Sequence, residues 1–162
     1  MPRIRTIKPE FWSSPSITSM GPWARLLYIA MWNWADDAGR GTYNPRELLG
    51  FAFPNDEEIS VAEFRRIVAE IRRACAVDFY DVGGRRYYAI PNWKRHQSRH
   101  ARMADSKFPA PEDGLPFDPA KMQVIGEDAE SCRISADSRR SSAHVPPTSA
   151  QVRRNSSIGT GE

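Results

Sequence analysis

Ten cationic side chains fall into three groups whose spacing suits a polyanion. Arg65, Arg66, Arg72 and Arg73 share one side of a predicted helix whose other side carries Phe64, Ile67, Val68, Ile71 and Cys75. One face is therefore apolar and the other cationic. Arg85 and Arg86 directly follow Gly83-Gly84, and Lys94, Arg95, Arg99 and Arg102 lie in the acid-free run from Asn92 to Arg102. A guanidinium can fork onto a guanine edge through two hydrogen bonds, and any of these cations can hold a phosphate and set register. Double-stranded DNA is the partner this pattern predicts.

Plainer readings of the same residues exist. Exposed arginines on a helix often form a solvated face, and Glu63 and Glu70 stand three residues before Arg66 and Arg73, a spacing that allows local ion pairs. Asp56-Glu57-Glu58 puts negative charge just ahead of the cationic helix, where it opposes a polyanion but suits the helix dipole. Catalysis is not indicated: the chain has no G-x-S-x-G, P-loop or H-E-x-x-H pattern, and Asp36-Asp37 sit in turn chemistry. His96 and His100 have metal-compatible spacing on a helix, but no Cys or carboxylate ligand pair accompanies them. Neither a metal nor a cofactor is expected.

The formal net charge of +3 is unevenly spread. Before Phe108, 17 Lys and Arg face 12 Asp and Glu; from there on, 6 face 8. The basic character thus belongs to the front of the chain, where it raises the local concentration of polyanions. Cys75 and Cys132 lie far apart in unlike segments, which suggests neither a disulfide framework nor a thiolate metal site and points to a reducing, cytoplasmic setting. The start, MPRIRTIKPEFW, has no apolar core of a signal peptide, and no stretch approaches the roughly 18 apolar residues that span a bilayer.

The elements that position the cations can be read from local signals. Residues 1–107 are expected to form one domain, and residues 108–162, rich in Pro, Ser, Ala and charge, a disordered tail with at most a helical turn near Pro119 to Val124. Pro22 opens a first long helix in which Trp23, Leu26, Leu27, Ala30, Met31 and Trp34 recur at helical spacing. Ile29 and Trp32 on its other side imply a second packed face, with Phe11, Trp12 and Trp93 as candidate covers and a dimer contact as the alternative. A Gly-rich turn ends this helix, and Thr42-Tyr43 supplies a short strand. Asn44 and Pro45 cap and start a short helix carrying Leu48, Leu49 and Phe53, which Pro54 stops.

Ser60-Val61-Ala62-Glu63 matches a capping box at the start of the cationic helix. After it, Gly83-Gly84 between two aromatic and β-branched runs predicts a two-residue hairpin. Its expected pairs are Val82 with Arg85, Asp81 with Arg86, Tyr80 with Tyr87, Phe79 with Tyr88 and Val77 with Ile90. Val77, Phe79, Tyr88 and Ile90 then face the helices, while Tyr80, Val82, Arg85 and Tyr87 point outward. Helix, strand, short helix, long helix and hairpin in this order give an α+β, mainly α, winged helix-turn-helix with a β-hairpin wing.

Three blocks, RTIKPEFWSS, ARLLYIAMWNWADDAGRG and YYAIPNWKRHQ, together resemble the helix-turn-helix replication proteins of phages and prophages, including replisome-organiser-like proteins of actinobacterial phages. The resemblance spans residues 3–109. It implies a winged-helix domain that binds phage origin DNA in a bacterial host, as a monomer or weak dimer. Longer members carry a C-terminal region that engages the helicase-loading machinery; this chain lacks that pattern, so replication proteins are expected as partners only through the tail. A transcriptional regulator on the same domain, and a protein-docking module using Asp56-Glu57-Glu58, Tyr80 and Tyr87, are the alternative readings.

Overall fold

Two capping side chains start the helices that matter most for the cations. Asn44 accepts the Arg46 N–H at the head of one, and Ser60 Oγ accepts the Glu63 N–H at 3.2 Å at the head of the next. The computed structural model describes residues 2–97 and 105–126. The chain divides into two units, Met1–Glu127 and Asp128–Glu162, the second outside the described residues together with Arg99, His100, Arg102 and Cys132.

The first unit is mixed α/β. Short helices α1 (Glu10–Ser13) and α2 (Pro15–Thr18) precede α3 (Pro22–Trp34), β1 (Arg40–Thr42), α4 (Pro45–Ala52) and α5 (Val61–Cys75). The hairpin β2 (Asp78–Val82) and β3 (Arg85–Ala89) follows, then α6 (Trp93–His96), β4 (Leu115–Asp118) and β5 (Gln123–Val124). The strands pair antiparallel in the order β1-β3-β2-β4-β5. Among the described residues no helix is long and apolar enough to cross a membrane.

Hairpin register follows the sequence reading, with Asp81 opposite Arg86, Tyr80 opposite Tyr87 and Phe79 opposite Tyr88. Both turn glycines have positive φ, 59° at Gly83 and 80° at Gly84, the conformation a tight two-residue turn requires. Strand β1 pairs with β3 so closely that a Cβ on Gly41 would meet the Tyr88 ring at 2.5 Å. The Tyr88 hydroxyl, fully buried, donates to the Met31 carbonyl at 2.7 Å and ties the sheet to α3.

The buried face of α3 is not the stripe that spacing picks out. Ala24, Leu27, Tyr28, Met31 and Trp32 are buried, whereas Trp23 and Leu26 are exposed. Both sides of the helix are apolar, so periodicity alone leaves its rotation open, and the aromatic neighbours decide it. Phe11 and Trp93 meet Trp32 at ring separations of 5.3 and 6.2 Å, while Trp12 stays exposed.

Residues 108–126 are not a disordered tail but part of the fold, and the domain boundary at Lys107 moves accordingly. Strand β4 pairs with β2, placing Pro116 opposite Tyr80, and Phe117 is fully buried against Tyr43. Phe108 packs on Tyr87 at 5.8 Å, and the Tyr80 hydroxyl donates to the Pro109 carbonyl at 2.9 Å. Tyr80 and Tyr87, expected on the solvent side of the hairpin, are therefore covered. Local composition misses this because a sheet edge and a ready-made apolar face supply the order that a Pro-rich segment cannot generate by itself. Phe117→Ala should lower unfolding stability by about 3–5 kcal/mol in urea denaturation, the cost of emptying a closed aromatic site; a disordered segment would show no change.

Candidate nucleic-acid interface

Caps and turns bring arginines from three elements around one groove. The first turn of α4 contributes Arg46, the second turn of α5 contributes Arg65, and the hairpin contributes Gly84 and Arg86 to a cavity of about 420 Å³ whose other walls include Tyr43, Asn44 and Met122. The Nε atoms of Arg65 and Arg86 are buried and have no hydrogen-bond acceptor in the protein. Burial pushes the Tyr43 phenol well above its ordinary pKa, with Arg65 and Arg86 pulling the other way and Asp118 adding to the rise. A groove framed by three guanidinium groups is chemically suited to a phosphate oxygen.

The expected contact residues separate into distinct places. Arg66 is exposed and pairs with Glu63 at 3.3 Å, a surface contact of little energetic weight. Arg73 is exposed on the last turn of α5, and Arg85 is exposed at the hairpin tip. Arg72 turns toward Asp118, with 3.8 Å between charged atoms. Arg86 lies 4.8 Å above the Phe117 ring and 3.9 Å from Asp81, so its guanidinium is engaged as well as groove-lining. The Arg72 ion pair and the Arg86 ring contact come from residues 115–118, the segment whose order the sequence does not announce, and the Arg86–Asp81 approach comes from within the hairpin.

Lys94 and Arg95 are exposed on α6, near the opposite end of α5, where Cys75 and Arg95 line a separate cavity. Arg65 sits ten residues before Cys75, about 15 Å along the helix axis. The structure thus splits the predicted surface in two and adds Arg46, which sequence reasoning passes over. Its signal was present: a basic residue directly after the Asn44-Pro45 helix start, one element before the cationic helix.

The acidic run ahead of α5 stays off the groove walls; Glu57 and Glu58 are exposed and Asp56 half-buried. Among the described residues no three His, Cys, Asp or Glu side chains gather in a metal-holding cluster. Comparison with protein-family models, curated proteins and solved structures found no match for this chain.

His96 packs against Trp32 at 5.4 Å, and burial, followed by the charges of Lys8 and Arg95, lowers its pKa from the ordinary imidazole value. The unfolded chain then binds the proton more tightly than the folded one. The neutral ring's contribution is present above the unfolded value of about 6.5 and is lost as pH falls through the lower folded value. The melting temperature should drop between about pH 7.5 and about pH 5 by more in the wild-type chain than in His96→Asn; equal drops would show that His96 titrates alike in both states.

Proposed function

We propose that this chain is a DNA-binding protein of the phage or prophage replication type, built on a winged helix-turn-helix and acting on duplex DNA through the Arg46–Arg65–Arg86 groove. The observation that carries the reading is that groove, where Arg46 of α4, Arg65 of α5 and Arg86 of the hairpin converge. In support, the order α3, β1, α4, α5, β2, β3 with β1 beside β3 is the arrangement expected of a winged helix, with α5 as recognition helix and Gly83-Gly84 as wing tip.

Roles follow from accessibility. Arg46 and Arg65 hold backbone phosphates and set register, because they frame a concave site between two helix starts. Arg66 and Arg73, exposed on α5, are the candidates for base edges, and Arg85 at the wing tip for the flanking backbone or minor groove. Arg72 and Arg86 contribute less, since Asp118 and Phe117 already occupy them. A transcriptional regulator would use the same groove. The protein-docking reading loses its tyrosines, because Tyr80 and Tyr87 are covered by Phe108 and Pro109.

Phage replication, as against transcription, rests on the three resembling blocks. Binding to duplex from the gene's own neighbourhood, set against random duplex, tests the DNA reading, and gene deletion followed by phage DNA copy number and transcript levels separates the two roles.

With three or four phosphates engaged, log K should fall against log salt with a slope of about −3 to −4. Arg46→Ala combined with Arg65→Ala should flatten that slope by about 2, whereas Lys94→Ala on α6 should leave it unchanged; a flat salt response in the wild-type chain would sink the DNA reading. Asp118→Asn keeps an acceptor for the Ala120 and Lys121 N–H groups while removing the charge beside Arg72. In a binding titration it should tighten DNA and steepen the slope by about 1.

A further inference from the structure

The cations that follow Asn92 take no part in the groove, and the fold gathers them beside one exposed indole. Lys94 and Arg95 are exposed on α6, whose other two side chains, Trp93 and His96, pack onto Trp32. Lys8 is exposed as well, and its Nζ donates to the Arg95 carbonyl at 2.6 Å. That bond ties α6 to the turn that opens α1 and leaves two ammonium N–H groups for another acceptor. Glu10, exposed on the same turn, is the acid that stands against Lys8, Lys94 and Arg95.

Trp12 lies one turn beyond Lys8. The Phe11 N–H donates to the Lys8 carbonyl at 3.0 Å and the Trp12 N–H to the Pro9 carbonyl at 3.2 Å, so the two exposed side chains are four residues apart across a closed turn. Trp12 is 56% exposed. Its ring meets Phe11 at 5.1 Å with the planes 89° apart, a contact that engages at most one face of the indole. Phe11 is itself buried against Trp32, which gives the indole a fixed base.

An exposed apolar side chain is ordinary when it stands alone. Here it stands next to cations, and the pair selects a partner that neither would select alone. The cations suit any polyanion, whereas the indole face asks for a flat ring. In a duplex the base faces are covered by their neighbours, and a helix of four residues with two side chains turned inward is too small to read a major groove. A single strand offers both parts at once: unstacked base faces and the phosphates between them.

We propose that this surface binds single-stranded DNA, with a base stacked on Trp12 and the flanking phosphates held by Lys8, Lys94 and Arg95. The site goes beyond the duplex reading and stands independently of it. Lys8 and Arg95 lie at the C-terminal end of α5, away from Arg65, and no residue of this surface lines the groove.

The test uses the full chain carrying Arg46→Ala and Arg65→Ala, so that the groove does not contribute, and titrates it by fluorescence anisotropy with a labelled oligothymidylate of about 15 nucleotides. Three engaged cations should give a slope of log K against log salt of about −2, and adding Lys94→Ala with Arg95→Ala should flatten it by about 1.4. Adding Trp12→Ala should weaken binding by about tenfold, the loss of one stacked base, and Trp12→Phe should recover most of that loss. Trp23→Ala, which removes an exposed indole elsewhere, should change nothing. An abasic strand of the same length should bind about tenfold more weakly than the oligothymidylate, and the two strands should bind alike once Trp12 is alanine. Undiminished affinity after Trp12→Ala, equal affinity for the abasic strand, or equal competition by polyglutamate, which would mark a surface for acidic polymers in general, would each overturn the proposal. So would an absence of binding up to roughly 1 mM strand at low salt. Because the groove is disabled throughout, failure here and failure of the duplex reading are separate results.

Discussion

Arg5 closes the carbonyl end of α3, and the placement of the sheet follows from that closure. Its guanidinium donates to the carbonyls of Trp32, Ala35 and Asp36 at 2.8–3.1 Å, pairs with Asp37 and lies 4.9 Å from the centre of the Trp93 ring. The last turn of a helix leaves carbonyls without partners and accumulates negative potential, so a cation there satisfies hydrogen bonds and the dipole together. Only 7% of the Arg5 side chain is exposed, which makes these contacts stronger than surface ion pairs. Asp36, held at this corner, accepts the Ala38 and Arg40 N–H groups through Oδ1 and so directs the chain into β1. From β1 the register passes to β3, and with it the position of the hairpin relative to α5.

The same corner draws on three stretches far apart in the sequence, residues 5–14, 24–41 and 87–97. Arg5 comes from the first, Asp36 and Asp37 from the second, and Trp93 from the third; the Trp93 indole donates to the Asp37 carbonyl at 3.0 Å. Gln97, buried, exchanges two hydrogen bonds with the backbone of Thr6. Gly39 is needed because a Cβ would meet the Trp93 ring at 2.6 Å, and its φ is +80°. These residues form one clasp. They are required for architecture, and the groove that would meet DNA draws on others: Arg46, Arg65 and the hairpin tip.

At the groove, geometry decides between cations that are alike in the sequence. Arg65 and Arg72 lie seven residues apart on the same side of α5, yet one has an unmet N–H and the other faces Asp118. The segment carrying Asp118 and Phe117 is held by the fully buried phenyl ring and by the Tyr43 hydroxyl, which donates to the Pro119 carbonyl at 3.2 Å. Burial of that ring is worth more than the exposed charge contacts around it. Residues 115–119 therefore set which arginines remain available, although nothing in their composition marks them as part of the site.

What could be read from the chain by itself is what depends on neighbours a few residues apart: the Asn44 and Ser60 caps, the apolar side of α5, the Gly83-Gly84 turn and the hairpin register it imposes. Each rests on a hydrogen bond or steric rule spanning about four residues, so residue type and spacing suffice. The rotation of α3, the covering of Tyr80 and Tyr87, the order of residues 108–126 and the division of the arginines belong to the tertiary structure. They depend on partners such as Phe11, Trp93, Phe108 and Phe117, brought close only when the whole unit folds. Burial is a property of the assembled surface, and a sequence segment carries no local sign of which distant face will cover it.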